Sequence, residues 1–142
     1  MEKYILAIDG GTQSTKLVIF NTDGKEICSE TVPLKPIRFY DDSRAEHPGD
    51  DLWESLQSAC HGLFNQFKGD TKRIIGVGLG SIRCCRALIK ADGSLAAPVQ
   101  SWMDLRLDSP YHHEDDSVRY VTATTGYLTF RLTGETKDTR SN

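Results

Sequence analysis

What the sequence lacks narrows it first. No apolar run approaches the roughly 20 residues that a membrane-spanning helix needs. The opening "MEKYILAIDGG" has too few apolar residues before its acid and glycines to read as a secretory signal. No sign of charge dominates: 17 Lys and Arg stand against 20 Asp and Glu, a net charge of −3. That balance gives no electrostatic case for nucleic acid or an anionic membrane as partner. There is no CxxC pair either. The four cysteines, Cys28, Cys60, Cys84 and Cys85, lack metal-ligand spacing, and the adjacency of Cys84 and Cys85 makes a simple disulfide framework awkward. Reduced thiols in a cytoplasmic protein are the expectation, with Cys28 and Cys60 serving as small, mostly buried hydrophobes. With no low-complexity tract, 38% apolar and 26% charged residues, the 142-residue chain has the makeup of one globular domain.

The pattern along the chain gives the fold class. "KYILAID" (3–9), "KLVIF" (16–20) and "KEICSETVPL" (25–34) read as three strands, with "NTDG" (21–24) as a turn between the last two. Short turns make them an antiparallel meander. Residues 52–67 place Leu52, Trp53, Leu56, Ala59, Cys60, Leu63, Phe64 and Phe67 at helical spacing, with Pro48, Asp50 and Asp51 suited to the first turn. "RIIGVGLGS" (73–81) predicts a buried strand, Asp92-Gly93 a second hairpin turn, and 122–132 a short helix stopped by Gly134. The order β-β-β-α-β fits an α/β domain of the ribonuclease-H-like, actin-type ATPase kind: a mixed sheet holding the meander, plus helices. "GVGLGS" (76–81) imitates a dinucleotide fingerprint. Its glycines lie inside the apolar run and lead to a hairpin rather than opening a helix, so they read as sites of close backbone approach near a strand end.

The chemistry concentrates first in "DGGTQSTK" (9–16). A strand ending in Asp9 is followed by Gly10, Gly11, Thr12, Gln13, Ser14, Thr15 and Lys16, a polar connection of seven residues. Glycines that can take positive φ let a phosphate approach backbone N–H groups. Asp9 can hold a hydrated Mg²⁺ that bridges phosphate oxygens, and Lys16 adds a point charge. The rival reading is a plain hairpin, whose expected turn is Asn-Gly or Asp-Gly. Elsewhere, Trp53 at helical spacing reads as core, and His47, before a proline at a helix start, as a packing or capping residue. "YHHEDD" (111–116) reads as a solvated loop, having no second ligand set at fixed spacing.

Four segments in order carry a family resemblance. "DGGTQSTK" followed by "LVIFNTDG" resembles the first phosphate motif of the sugar-kinase/actin/Hsp70 superfamily. "EHPGDDLWESL" (46–56), "IIGVGLGSIRCCRALIKADGSLAAPVQSWMDLR" (74–106) and "GYLTFRLTGETKDTRSN" (126–142) narrow it to the FGGY carbohydrate kinases, among them glycerol, xylulose and gluconate kinases. The resemblance implies ATP and Mg²⁺ as cofactors and a small sugar or polyol as partner; a homodimer stays open. Asp9 would bind Mg²⁺ through water, and Gly11, Thr12, Ser14 and Lys16 would meet the nucleotide phosphates. Arg83, Cys84, Trp102, Asp104 and Arg106 would face the sugar. Trp102 would lie against the carbon skeleton, and Asp104 with Arg106 complete a Trp-x-Asp-x-Arg pattern. Without the resemblance, the rival readings are Trp102 as a core aromatic at a strand end, and Asp104 with Arg106 as solvated loop charges or a surface pair of little energetic value. Some members place glutamate where Cys84 stands, an argument against glycerol as the substrate.

Family members run to several hundred residues in two domains, with the general base, an aspartate in a Gly-Asp-Gln-like motif, in the second. That motif is not among these residues, and the longer insertion that many members carry before Gly126 is a short polar linker here. The expectation is therefore residues 1–142 as an N-terminal fragment of the first domain, ending within a family segment at Ser141-Asn142 and inactive alone. The alternative is a non-catalytic nucleotide- or sugar-binding module of the same superfamily.

Overall fold

The computed structural model describes residues 2–139; the end of the last resemblance segment, Ser141-Asn142, lies outside the described residues. In chain order the elements are β1 (Tyr4–Gly10), β2 (Ser14–Asn21), β3 (Glu26–Pro33), β4 (Arg38–Phe39), β5 (Ala45–Glu46), α1 (Asp51–Gln66), β6 (Ile74–Ser81), β7 (Ala87–Ile89), β8 (Tyr120–Thr122) and α2 (Thr124–Thr133). Residues 2–34 with 54–81 form one compact unit, and 35–53 with 82–139 a second.

The first unit is a four-stranded mixed sheet, order β3-β2-β1-β6, with the body of α1. β1 and β2 pair antiparallel, as do β2 and β3, and β6 joins β1 in parallel. The meander thus follows the sequence pattern, whereas β6, expected as a buried strand, lies at the sheet edge with Ile75 and Val77 58% and 60% exposed, because among the described residues it has a partner strand on one side only. Period-2 alternation sends Leu6 and Ile8 of β1, with Leu17 and Ile19 opposite them on β2, into the core. There they share burial with Leu56, Ala59 and Leu63 of α1. Tyr4 meets Phe67 edge-on at 5.0 Å. Three further expectations change. The connection between β1 and β2 is residues 11–13, not seven residues, because β2 pairs as far as Thr15 opposite Gly10. Cys28 and Cys60 are half-buried rather than core. Gly76, Gly78 and Gly80 lie within β6 as expected, yet no backbone crowds them: a Cβ would meet nothing within 4 Å at Gly76 and Gly78, and only the Ile8 carbonyl at 3.9 Å at Gly80.

In the second unit the short strands are linked by backbone bonds. Residues 99–101 run between β5 and Arg86. The His47 amide donates to Val99, the Ser101 amide donates to Ala45, and Arg86 and Gln100 exchange both bonds. Glu46, Gln100 and Arg86 therefore sit in one register row. β7 pairs with β8, and the Asp92-Gly93 turn is present. The expected return strand after it is reduced to isolated bridges such as Ile89 with Leu95. Gly93 has φ +86°, and the Phe130 ring lies where its Cβ would stand, 2.2 Å from the nearest ring atom. No other residue fits.

α2 starts two residues later than the pattern suggested, because β8 takes Tyr120–Thr122. It ends where expected, with Gly134 at φ +75° and its amide bonded to the Phe130 carbonyl. Tyr127, fully buried, donates its hydroxyl to Asp50, and Arg131 reaches Asp50 at 2.8 Å. Arg131 also lies over the Trp53 ring, 4.5 Å from its centre. Trp53 is consequently half-buried, not core. His47 packs, fully buried, with neither ring nitrogen hydrogen-bonded among the described residues.

Candidate functional site

In the first unit the sheet itself sets out the residues of the candidate phosphate turn. Thr15 faces α1, buried, its hydroxyl 2.7 Å from that of Ser55. Alternation then puts Asp9 and Lys16, directly opposite each other, on the other face, where both are exposed. Asp9 is flanked on its other side by Gly80. Among the described residues neither the Asp9 nor the Lys16 side chain makes a hydrogen bond or ion pair, and the neighbouring glycine leaves that face clear of side chain. Gly11 holds the turn by donating to the Ser14 carbonyl at 2.9 Å, and the Leu34 amide clamps the Gln13 carbonyl at 2.8 Å. Gly10 and Gly11 do not adopt positive φ, contrary to expectation; the turn closes with ordinary backbone angles. A Cβ on Gly11 would stand 3.0 Å from the Ser14 oxygen, so the tightness of the turn is what favours glycine there. Thr12 and Ser14 are half-buried beside it.

In the second unit Asp104 is no solvated loop charge. It is 2% exposed and accepts four hydrogen bonds. Oδ1 takes the Arg106 amide and Nε, each at 2.9 Å, and Oδ2 takes the Ala45 amide at 2.9 Å and Arg106 Nη2 at 2.6 Å. This two-pronged fork fits the planar guanidinium. Arg106 Nη2 also reaches Glu46 Oε1 at 2.6 Å, while Nη1 makes no bond among the described residues. Burial opposes ionisation of Asp104. The bonds from the Arg106 side chain and from the two amides outweigh it and hold the carboxyl below its ordinary value. Arg106, bonded first to Asp104 and then to Glu46, is pushed above its ordinary value.

Arg86, two residues beyond Cys84, lies half-buried beside this cluster. Its Nη1 donates to the Arg106 carbonyl at 3.3 Å and to Gln100 Oε1 at 3.4 Å, and its Nη2 to the Ser109 carbonyl at 2.8 Å. Arg86 lines two cavities. One, of about 460 Å³, is shared with Gln100, Arg106, Tyr111 and His112. The other, about 400 Å³, is shared with Cys84, Cys85 and Leu107. Cys84 is exposed at φ +58°, Arg83 is exposed, and burial pushes the Cys85 thiol up to about 11. Trp102 is 52% exposed, which rules out a core role. The 111–116 segment is an exposed loop. Sequence reasoning passed over Glu46, Arg86 and Gln100. Glu46 sat inside a quoted motif with no role assigned, and nothing in the sequence marked Arg86 or Gln100.

A meander with a parallel fourth strand, and a tight turn flanked by Asp9 and Lys16 at the carboxyl end of β1, fit an α/β domain of the actin-like ATPase fold. A family profile described as "FGGY family of carbohydrate kinases, N-terminal domain" matches residues 4–137. The chain belongs to that family and corresponds to its N-terminal domain. It is 54% identical over 141 residues to the "Uncharacterized sugar kinase YgcE" of Escherichia coli (strain K12), covering 99% of this chain and 29% of that protein. A glycerol kinase of Saccharopolyspora erythraea is 30% identical over 112 residues, covering 77% of this chain and 22% of the relative. The xylulose kinase of Rhodospirillum rubrum shares the fold, with TM-score 0.76 at 15% identity over 94% of this chain and 35% of its own. The chain thus spans under a third of the length of these two curated relatives. No helix among the described residues is long and apolar enough to cross a membrane.

Proposed function

We propose that these residues supply the phosphate turn and part of the sugar-facing surface of an ATP-dependent carbohydrate kinase. The complete protein would move the γ-phosphate of ATP to a hydroxyl of a small sugar or polyol. The observation that carries this reading is the free Asp9–Lys16 pair, side by side on a clear face next to a tight turn. Opposite charges at cross-strand positions ordinarily satisfy each other; two that do not are available to a ligand.

A lone carboxylate suits a hydrated Mg²⁺ better than a bare one, because Mg²⁺ keeps most of its water. Asp9 therefore fits as the residue that holds it, and the ion when bound neutralises phosphate charge. Lys16 offsets phosphate charge directly, and the Gly11 turn with the Thr12 and Ser14 hydroxyls fixes where the phosphates lie. Toward the sugar, the exposed Trp102 ring supplies an apolar wall, and Arg83 and Arg106 supply donors. Asp104, with all its bonds made to Arg106 and Ala45, acts by holding Arg106, and Cys84 contributes a neutral surface. No residue here is assigned as general base.

Phosphoryl transfer depends on positioning and charge neutralisation from both sides of a cleft, so the 142 residues alone are expected to be inactive. A cytoplasmic location suits the free thiols. The test is a coupled ADP-release assay over pentuloses, hexuloses, polyols and aldonates, on this chain and on the chain extended to the length of its relatives. Sugar-dependent turnover by the extended chain, abolished by Asp9→Asn, is expected. Turnover by the 142 residues alone contradicts the division of labour. Nucleotide binding without turnover on any sugar by the extended chain favours the non-catalytic module.

A further inference from the structure

We infer that the second unit takes a sugar acid, a polyhydroxylated ligand carrying a carboxylate, with Arg86 and Arg106 receiving that group. The inference rests on the carbohydrate-kinase reading and names the substrate class of its sugar-facing residues.

The charge pairing is lopsided. Arg86 is half-buried, and every acceptor it has is a neutral oxygen: Gln100 Oε1, the Arg106 carbonyl and the Ser109 carbonyl. A guanidinium drawn partly out of water with no anion beside it is costly unless a ligand brings one. The acids that could have served are already engaged. Asp104 gives both oxygens to Arg106 and the Ala45 amide, and Glu46 Oε1 is on Arg106 Nη2, with Arg44 Nη1 4.0 Å away. Glu114 and Asp115 line the same cavity but are exposed and pair with no arginine among the described residues, so water and salt screen them. Asp138, in the wall of the adjoining cavity, is exposed and accepts from Thr125 and Thr139.

The donor and acceptor balance agrees. Each hydroxyl of a neutral alditol both gives and takes a hydrogen bond. Of Arg83, Cys84, Arg86, Trp102, Asp104 and Arg106, Asp104 alone is a strong acceptor, and its lone pairs are taken. What remains is donor surface: Arg106 Nη1, which makes no bond, and Arg86 Nε, likewise unbonded among the described residues. The Arg86–Arg106 carbonyl bond ties the two guanidinium-bearing segments together. Donors without acceptors suit a carboxylate, which only accepts.

The experiment is a titration of this chain with gluconate, with its neutral alditol glucitol, and with inorganic phosphate, read on the arginine Nε–Hε resonances. Gluconate is expected to shift Arg86 and Arg106, with affinity falling about tenfold or more in Arg86→Gln and largely retained in Arg86→Lys. Glucitol is expected to leave both resonances in place. The inference is overturned if glucitol binds as tightly as gluconate, if phosphate displaces gluconate at equal concentration, if Arg86→Gln binds gluconate unchanged, or if nothing shifts. Should Arg86→Gln fail to fold, the wild-type comparison of gluconate with glucitol decides alone. Preference for a neutral sugar would sink this inference and leave the kinase reading standing, whereas loss of the phosphate role at Asp9 and Lys16 would sink the kinase reading.

Discussion

Replacing Asp104 by asparagine is the sharpest probe of the second unit. The aspartate is 2% exposed and accepts four hydrogen bonds, three of them from Arg106. Asparagine keeps one acceptor oxygen and turns an NH₂ against donors, so at least two partners lose their acceptor. Removing one member of a buried ion pair costs about 3–5 kcal/mol. The Arg106 side chain is 37% exposed, so water recovers part of that loss, and about 2–3 kcal/mol is expected. Urea unfolding followed by tryptophan fluorescence measures it, Trp102 being two residues away. The sign with pH follows from linkage. The folded carboxyl is held below its ordinary value, so its stabilisation is complete above the unfolded pKa of about 4 and is lost as pH falls through the folded one. Asp104→Asn therefore flattens acid unfolding as well as lowering stability at neutral pH. A change below about 0.5 kcal/mol would reduce the cluster to an ordinary surface pair and refute the argument that Asp104 positions Arg106.

Two further perturbations test the packing. His47 is buried with both ring nitrogens unbonded among the described residues, and burial holds its pKa down, against a smaller opposing effect of Asp51. The unfolded chain thus binds the extra proton first, and stability falls as pH drops below about 6.5. His47→Leu is expected to keep or raise the melting temperature at neutral pH and to remove that slope, as thermal melts at two pH values would show. Gly93→Ala places a methyl into the Phe130 ring at φ +86°. It is expected to cost about 2 kcal/mol or more, read as a lower urea midpoint; a neutral result would mean the turn relaxes freely.

Much of the first unit was legible in the sequence because its period is simple. Alternation in β1 and β2 and helical spacing in α1 are local signals that tertiary packing did not override. The length of the turn was not legible: polar residues 14–16 read as connection, yet cross-strand pairing with β1 extends β2 through them. Burial departs from the sequence pattern where partners come from distant segments. Arg131 covers one face of Trp53, and Ala45 and Arg106 surround Asp104. Glu46 and Arg86 escaped notice because a register row through Gln100, not sequence spacing, makes them neighbours. Residue type and resemblance alone point to the candidate phosphate residues. Their availability, two unpaired charges on an open face, came only from the fold.

The most direct measurement of the central claim is an amide-shift map of this chain titrated with Mg²⁺ and ADP. The account predicts changes centred on residues 9–16, strongly weakened by Lys16→Gln and dependent on Asp9 when Mg²⁺ is present. Undisturbed amides in that segment at saturating nucleotide, or changes centred elsewhere, would contradict it.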